Sequence, residues 1–262
     1  MKTIGFIGTG NMGGALATAA YKSGSADRIL LANRTRKKAE DLAKEINGTV
    51  CDNETVAKEA EYIFLGVKPQ FLDEMFEGIK DILKNRKDRC IIVSMVAGQK
   101  IPQLKERFFD LPVIRILPNI PTKTGDGFSF YGFSDDVTVE ERDYFLKLMA
   151  PSGILVEASE KEMGCASSLT GCGPAFTAMY LEALADAAVA CGVPRKYAYI
   201  YGAQMLEGTA KYLLKTNIHP GELKDSVCSP AGSTIQGVRV LEEKGFRAAV
   251  IDALITVNKV FN

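Results

Sequence analysis

Tryptophan is absent from the 262 residues, and histidine occurs once, at His219. A single imidazole cannot assemble a multi-histidine metal centre, which speaks against a zinc enzyme, and no metal site is expected. The six cysteines, Cys51, Cys90, Cys165, Cys172, Cys191 and Cys228, show no C-x-x-C pair. Scattered spacing of this kind predicts reduced, mostly buried thiols in a cytosol. Charge of one sign is not in excess either, with 32 Lys+Arg against 32 Asp+Glu. No global field therefore recruits nucleic acid or an anionic membrane, and ligands must be recognised locally. No apolar run approaches the ~20 residues of a spanning helix. The start, Met1-Lys2-Thr3, leads into an apolar strand with neither a charged leader nor a cleavage site. A cytoplasmic location is expected.

Apolar residues make up 47% of the chain, enough for a substantial core in one large or two modest domains. The first half alternates strand and helix signals. Thr3–Ile7, Arg28–Ala32, Tyr62–Val67, Cys90–Val93 and Val113–Leu117 read as strands, the last closed by Pro118 and Pro121. Helices are expected over Asn11–Ser23, Lys37–Ile46 (with Gly48 as its stop) and Phe71–Leu83. Such alternation predicts a parallel sheet with helices on both faces. Beyond about residue 160 the strand signals cease. Helices are expected over Pro174–Ala190, Arg195–Leu214, Glu222–Val227, Gly232–Glu243 and Phe246–Val260. Pro174 is placed in a first turn and Gly192 past a last one. Ala183–Ala190 is apolar nearly all round, and such a helix needs burial on more than one side. A homodimer interface is the natural place for it.

Gly8-Thr9-Gly10-Asn11-Met12-Gly13 follows the first strand and opens the first helix. The first glycine permits a tight turn, the second lets a pyrophosphate approach the backbone, and the third lets helix pack on strand. The helix N-terminus adds unpaired N–H groups and a favourable dipole. The fold class is thus α/β: a Rossmann dinucleotide-binding domain over 1–158, then an all-helical dimerisation and substrate domain over 159–262. An acid at the end of the second strand would repel a 2′-phosphate. Asn33-Arg34-Thr35-Arg36 stands there instead. Neutral Asn33 removes the repulsion, and the planar fork of Arg34 suits phosphate. NADPH is the expected cofactor, with NADH the alternative. Lys37 and Lys38 read as a solvated helix start.

The densest late signal is His219-Pro220-Gly221-Glu222 followed by Ser229-Pro230-Ala231-Gly232-Ser233-Thr234. Amides around Gly232–Thr234 and the Ser233 and Thr234 hydroxyls form an anion site of carboxylate size. Ser229 and Thr234 acting only as helix caps is the competing reading. The run from Pro220 to Glu242 closely resembles the signature of pyrroline-5-carboxylate reductase. Three further segments agree: Val67-Lys68-Pro69, Leu117-Pro118-Asn119-Ile120-Pro121, and Leu169-Thr170-Gly171-Cys172-Gly173-Pro174-Ala175-Phe176.

The resemblance implies NAD(P)H-dependent reduction of 1-pyrroline-5-carboxylate to L-proline. It also implies a helical domain that interlocks two subunits, often within larger rings, with the active site near that interface. Carried over residue by residue, Thr234 is the catalytic hydroxyl at the ring nitrogen. Ser229 with the amides of Gly232, Ser233 and Thr234 cradles the carboxylate. Val67, Lys68 and Pro69 line the cofactor and Asn53 contacts the adenosine side, alongside Ile7, Gly8, Thr9, Gly10, Asn11 and Met12 of the glycine turn. Ala231 stands where the family usually has Gly, Cys172 where Ser is usual, and Ile120 where Thr is usual. Cys172 reads as a packing residue.

Scarcity of acid–base side chains fits this chemistry. A cyclic imine nitrogen is protonated before hydride arrives, so the protein needs orientation more than a strong acid. The β-hydroxyacid dehydrogenases are disfavoured because Pro174–Ala190 contains no lysine. A non-catalytic NADPH sensor is disfavoured by the intact Ser229–Thr234 loop.

Overall fold

The computed structural model describes residues 2–261. Eight strands form one sheet: β1 (Thr3–Ile7), β2 (Arg28–Ala32), β3 (Thr49–Val50), β4 (Tyr62–Leu65), β5 (Ile91–Ser94), β6 (Val113–Pro118), β7 (Gly127–Phe133) and β8 (Gly153–Glu157). Their order is β3-β2-β1-β4-β5-β6-β7-β8. Every pairing is parallel except β6 with β7. Seven helices cover this sheet: α1 (Asn11–Lys22), α2 (Arg36–Ile46), α3 (Asn53–Glu59), α4 (Leu72–Glu77), α5 (Lys80–Asn85), α6 (Ile101–Arg107) and α7 (Val139–Met149).

The central strands are buried on both faces, which is why they read as unbroken apolar runs. One face packs Phe6, Phe64 and Ile114 against Leu16 of α1 and Phe145 of α7. The other packs Ile7, Ile63 and Ile92 against Val56 of α3, Leu83 of α5 and Leu104 of α6. Strand order reverses at β1 and β4, so the ends of these strands open a crevice for a ligand.

Several expectations need correction. The sheet is mixed: β7 turns back because the chain reverses through the short 3-10 turn Ile120–Lys123 and Gly125, whose φ is +92°. The helix expected over Phe71–Leu83 is two helices, α4 and α5, separated at Gly78 and Ile79. The stop of α2 is Asn47, left-handed at φ +50°. Gly48 serves packing instead, since a Cβ there would lie 2.7 Å from Leu31 Cδ1. Among the cysteines, all unpaired, only Cys90 is buried, and Cys165 and Cys191 are exposed.

Residues up to Gly171 form one compact unit and Cys172–Val260 another. The helices after β8 are α8 (Glu160–Ala190), α9 (Arg195–Thr216), α10 (Pro220–Ser226), α11 (Ser233–Glu243) and α12 (Phe246–Phe261). Pro174 does not open a helix; it lies inside α8. Gly192 and Gly245, at φ +98° and +73°, end α8 and α11. In the second unit the buried apolar side chains are Ala185 and Ala198 among the described residues. Met179, Ile200, Leu214 and Ile251 are exposed. These helices thus leave a large apolar surface uncovered.

Candidate active site

A cavity of about 590 Å³ opens at the ends of β1, β2 and β4. Of the residues expected to hold a dinucleotide, Ile7, Gly8, Gly10, Asn33, Arg34, Asn53, Val67 and Lys68 line it. Thr9, Asn11, Met12 and Pro69 do not. Thr9 is buried beneath the turn, and Asn11 Oδ1 accepts from Lys123 Nζ at 3.1 Å. Pro69 starts the 3-10 turn Pro69–Phe71 that carries Phe71 to the cavity wall.

The three glycines have separate reasons. Gly8 sits at φ +96°, and a Cβ there would lie 2.7 Å from the Gly66 carbonyl. A Cβ on Gly13 would meet the Gly8 carbonyl oxygen at 1.9 Å, so this glycine lets α1 close on β1. A Cβ on Gly10 would meet nothing within 4 Å. The fold's own packing does not require that glycine, and the space above it faces the cavity. No side chain caps the N-terminus of α1, leaving amides free for phosphate. Thr9 Oγ1 is buried without a hydrogen-bond partner among the described residues, beneath the turn and outside the cavity lining. These features fit a bound dinucleotide.

Asn33 does more than avoid repulsion. Its Oδ1 accepts from the Thr9 amide at 3.0 Å and its Nδ2 donates to the Thr35 carbonyl at 2.9 Å. It braces the glycine turn against the end of β2. Arg34 is exposed and stacks on Phe71, with Cζ 4.2 Å from the ring centroid. Arg36 pairs with Glu40 at 3.1 Å and Lys37 with Asp41 at 2.8 Å, as a solvated helix start requires. Asp52 caps α3 by accepting from the Thr55 amide at 2.7 Å. That bond holds its carboxyl below the ordinary range. Burial pushes the neighbouring Cys51 thiol up.

Phe71, Cys51, Asp52 and Glu54 line the cavity without having been singled out from the sequence. Only Phe71 left a signal, as an aromatic residue two places after the Val67-Lys68-Pro69 segment.

In the helical unit, Ser229 to Thr234 form a compact turn. The Gly232 amide donates to the Ser229 carbonyl at 3.0 Å. Pro230 followed by Ala231 at φ +58° has the form of a type II turn. Gly232 is the N-cap of α11 and makes no side-chain cap bond. A Cβ there would lie 2.3 Å from Ser229 Oγ and 3.1 Å from the Ser229 carbonyl oxygen, so a side chain at this position would push the Ser229 hydroxyl from its place. Neither Ser229 nor Thr234 makes a cap hydrogen bond at this helix start, which leaves the capping reading without support. Ser229, Ser233 and Thr234 are exposed on their own unit. His219 is structural: its Nδ1 accepts from the Gly221 amide at 3.0 Å and caps α10.

Two family models match the chain. Residues 160–261 match pyrroline-5-carboxylate reductase dimerisation, and residues 3–98 match the NADP oxidoreductase, coenzyme F420-dependent, family. The pyrroline-5-carboxylate reductase of Escherichia coli is 37% identical over 257 residues, covering 97% of this chain and 94% of that protein. That of Methanosarcina acetivorans is 35% identical over 260 residues, covering 98% and 95%. Among solved structures, Plasmodium falciparum pyrroline carboxylate reductase with NADP bound superposes with a TM-score of 0.87 at 26% identity. That match covers 100% of this chain and 97% of the other. From its N-terminal sheet to its last helix, the chain belongs to the pyrroline-5-carboxylate reductase family.

Proposed function

We propose that this oxidoreductase reduces 1-pyrroline-5-carboxylate to L-proline, the last step of proline biosynthesis, with NADPH preferred over NADH. The observation that carries the reaction is the Ser229–Thr234 turn. Its close-packed glycine, uncapped helix start and exposed hydroxyls suit a carboxylate, and the whole-length likeness to reductases of that imine supplies the substrate.

When bound, the nicotinamide supplies the hydride. The chain's own residues bind and orient. Gly8, Gly10 and the α1 amides take the pyrophosphate, with Ile7, Thr9, Asn11 and Met12 shaping the same turn. Val67, Lys68 and Pro69 line the dinucleotide, and Asn53 lies on its adenosine side. Ser229 with the amides of Ser233 and Thr234 pins the substrate carboxylate, while the Gly232 amide, bonded to the Ser229 carbonyl, closes the turn that presents them. The Thr234 hydroxyl holds the protonated ring nitrogen, and no strong acid is needed because an iminium already carries its proton. Preference for NADPH is supported by neutral Asn33 and by Arg34, which has no carboxylate partner among the described residues. The helical domain, proposed as 159–262 after a Rossmann domain of 1–158, serves a homodimer, which its exposed apolar helices support; a larger ring of such dimers is what the family resemblance implies. A cytoplasmic location belongs to the same proposal. Separately, no helix of the described residues is long and apolar enough to cross a membrane.

The test is NADPH oxidation by the purified protein with pyrroline-5-carboxylate, against 3-hydroxyacids and no substrate. Turnover with the imine alone is expected. Hydroxyacid turnover, or cofactor binding with no turnover at all, overturns the reading.

A further inference from the structure

The guanidinium of Arg34 lies over the face of Phe71, 4.2 Å from the ring centroid. Both side chains line the dinucleotide cavity. They come from separate turns, one following β2 and one following β4. Each turn is fixed: Asn33 Nδ2 holds the Thr35 carbonyl at 2.9 Å, and the Phe71 amide donates to the Lys68 carbonyl at 2.9 Å. Arg36 and Lys37 beside it are engaged with Glu40 and Asp41, whereas Arg34 has no carboxylate partner among the described residues. An exposed arginine with neither partner nor platform would sample many rotamers. Stacking on a ring removes that freedom and leaves the in-plane N–H fork unspent.

We infer that Phe71 is a positioning residue for cofactor selection: it holds Arg34 as a preorganised clamp for a 2′-phosphorylated adenosine. The inference rests on the proposed preference for NADPH. It assigns that preference to a stacked pair rather than to Arg34 alone.

The experiment is calorimetric titration of the full chain with 2′,5′-ADP and with 5′-ADP. The parent is compared with Phe71→Ala, Phe71→Leu, Phe71→Tyr, Arg34→Ala and Arg34→Ala/Phe71→Ala. Phe71→Leu fills the space without an aromatic face, and guards against a folding defect in the alanine variant. Phe71→Ala and Phe71→Leu should weaken 2′,5′-ADP about tenfold and 5′-ADP less than about twofold. Phe71→Tyr should bind as the parent does. In the Arg34→Ala background, removing Phe71 should change nothing further for 2′,5′-ADP. Equal weakening of both nucleotides, or a Phe71 effect that persists without Arg34, overturns the inference. If Arg34→Ala alters the ratio of the two nucleotides but Phe71→Leu and Phe71→Ala do not, only the role of Phe71 falls. If Arg34→Ala leaves that ratio unchanged, the NADPH reading falls and this one with it.

Discussion

The side-chain amide of Asn119 donates to the backbone carbonyl of Thr170 at 3.2 Å. Thr170 lies four residues before Pro174, which sits inside α8. A proline has no N–H to return to the carbonyl of residue i−4. Asn119 therefore supplies the hydrogen bond that α8 lacks at that turn. Its Oδ1 is used as well, accepting from the Phe128 amide at 2.9 Å and so fixing the start of β7.

Asn119→Ala should therefore lower stability by about 1–3 kcal/mol, the cost of leaving part-buried backbone groups unpaired. Pro174→Ala returns an N–H to the Thr170 carbonyl. The double variant should recover part of the loss and leave only the Phe128 share. Thermal melts of the four proteins decide it: a double variant no more stable than Asn119→Ala breaks the link.

This pairing also marks where sequence reasoning stops. Pro174 suggests a helix start by local rules, because a proline in the first turn is common and one in the middle is costly. What makes the middle tolerable is an asparagine far away in sequence, and no local pattern carries that. The strands β1 and β2 are legible to the residue, since strands buried on both faces leave apolar runs bounded by polar turns. β7 is harder: Gly127-Phe128-Ser129-Phe130-Tyr131-Gly132-Phe133 mixes glycine and serine into its alternation. α7 was within reach, since Thr138 and Glu141 form a reciprocal capping box. In the first unit the glycine turn announces itself through spacing, and in the second the Ser229–Thr234 segment stands out by its run of small residues. The bracing by Asn33 and the stack of Arg34 on Phe71 join separate βα turns, so only folding brings them together.

Ala231 occupies the third position of its turn at φ +58°, a conformation that costs a residue with a Cβ about 1–2 kcal/mol. This explains why glycine is usual at that place in the family. Ala231→Gly should keep activity and change stability by less than about 1 kcal/mol, since the relieved strain is offset by a freer unfolded chain. Ala231→Val should distort the turn. Its KM for the imine should rise severalfold while its KM for NADPH stays put. A parallel rise in both constants places the damage outside the carboxylate cradle.

Burial works against the charge of Glu141, but the Arg89 fork outweighs it at 2.6 and 3.0 Å, aided by the Thr138 amide at 2.8 Å. The carboxyl is held below its ordinary value of 4.5. A depressed folded-state pKa contributes stability that is present above the unfolded value and lost as pH falls through the folded one. Glu141→Gln should thus melt lower than the parent near neutral pH. The gap should shrink as pH drops below 4.5 and close once the parent's own carboxyl is protonated. A gap independent of pH assigns the loss to packing.

Thr234 is exposed on its unit, at the second residue of α11, two places after the Gly232 N-cap. Its hydroxyl makes no hydrogen bond among the described residues that would tie it to the fold, so removing it should not disturb folding. Thr234→Ala should lower turnover about tenfold to a hundredfold, the loss of one or two well-placed hydrogen bonds in the transition state. Dinucleotide affinity should stay within about twofold by the same measure, since the amides proposed to bind phosphate belong to α1. Thr234→Ser keeps the hydroxyl and should recover most of the rate. Ser229→Ala should act differently, raising KM for the imine more than it lowers kcat, because the carboxylate is bound equally in ground and transition states. Steady-state kinetics with the imine varied at saturating NADPH separate the two. Unchanged turnover in Thr234→Ala removes the hydroxyl from the mechanism and leaves orientation to the carboxylate cradle alone.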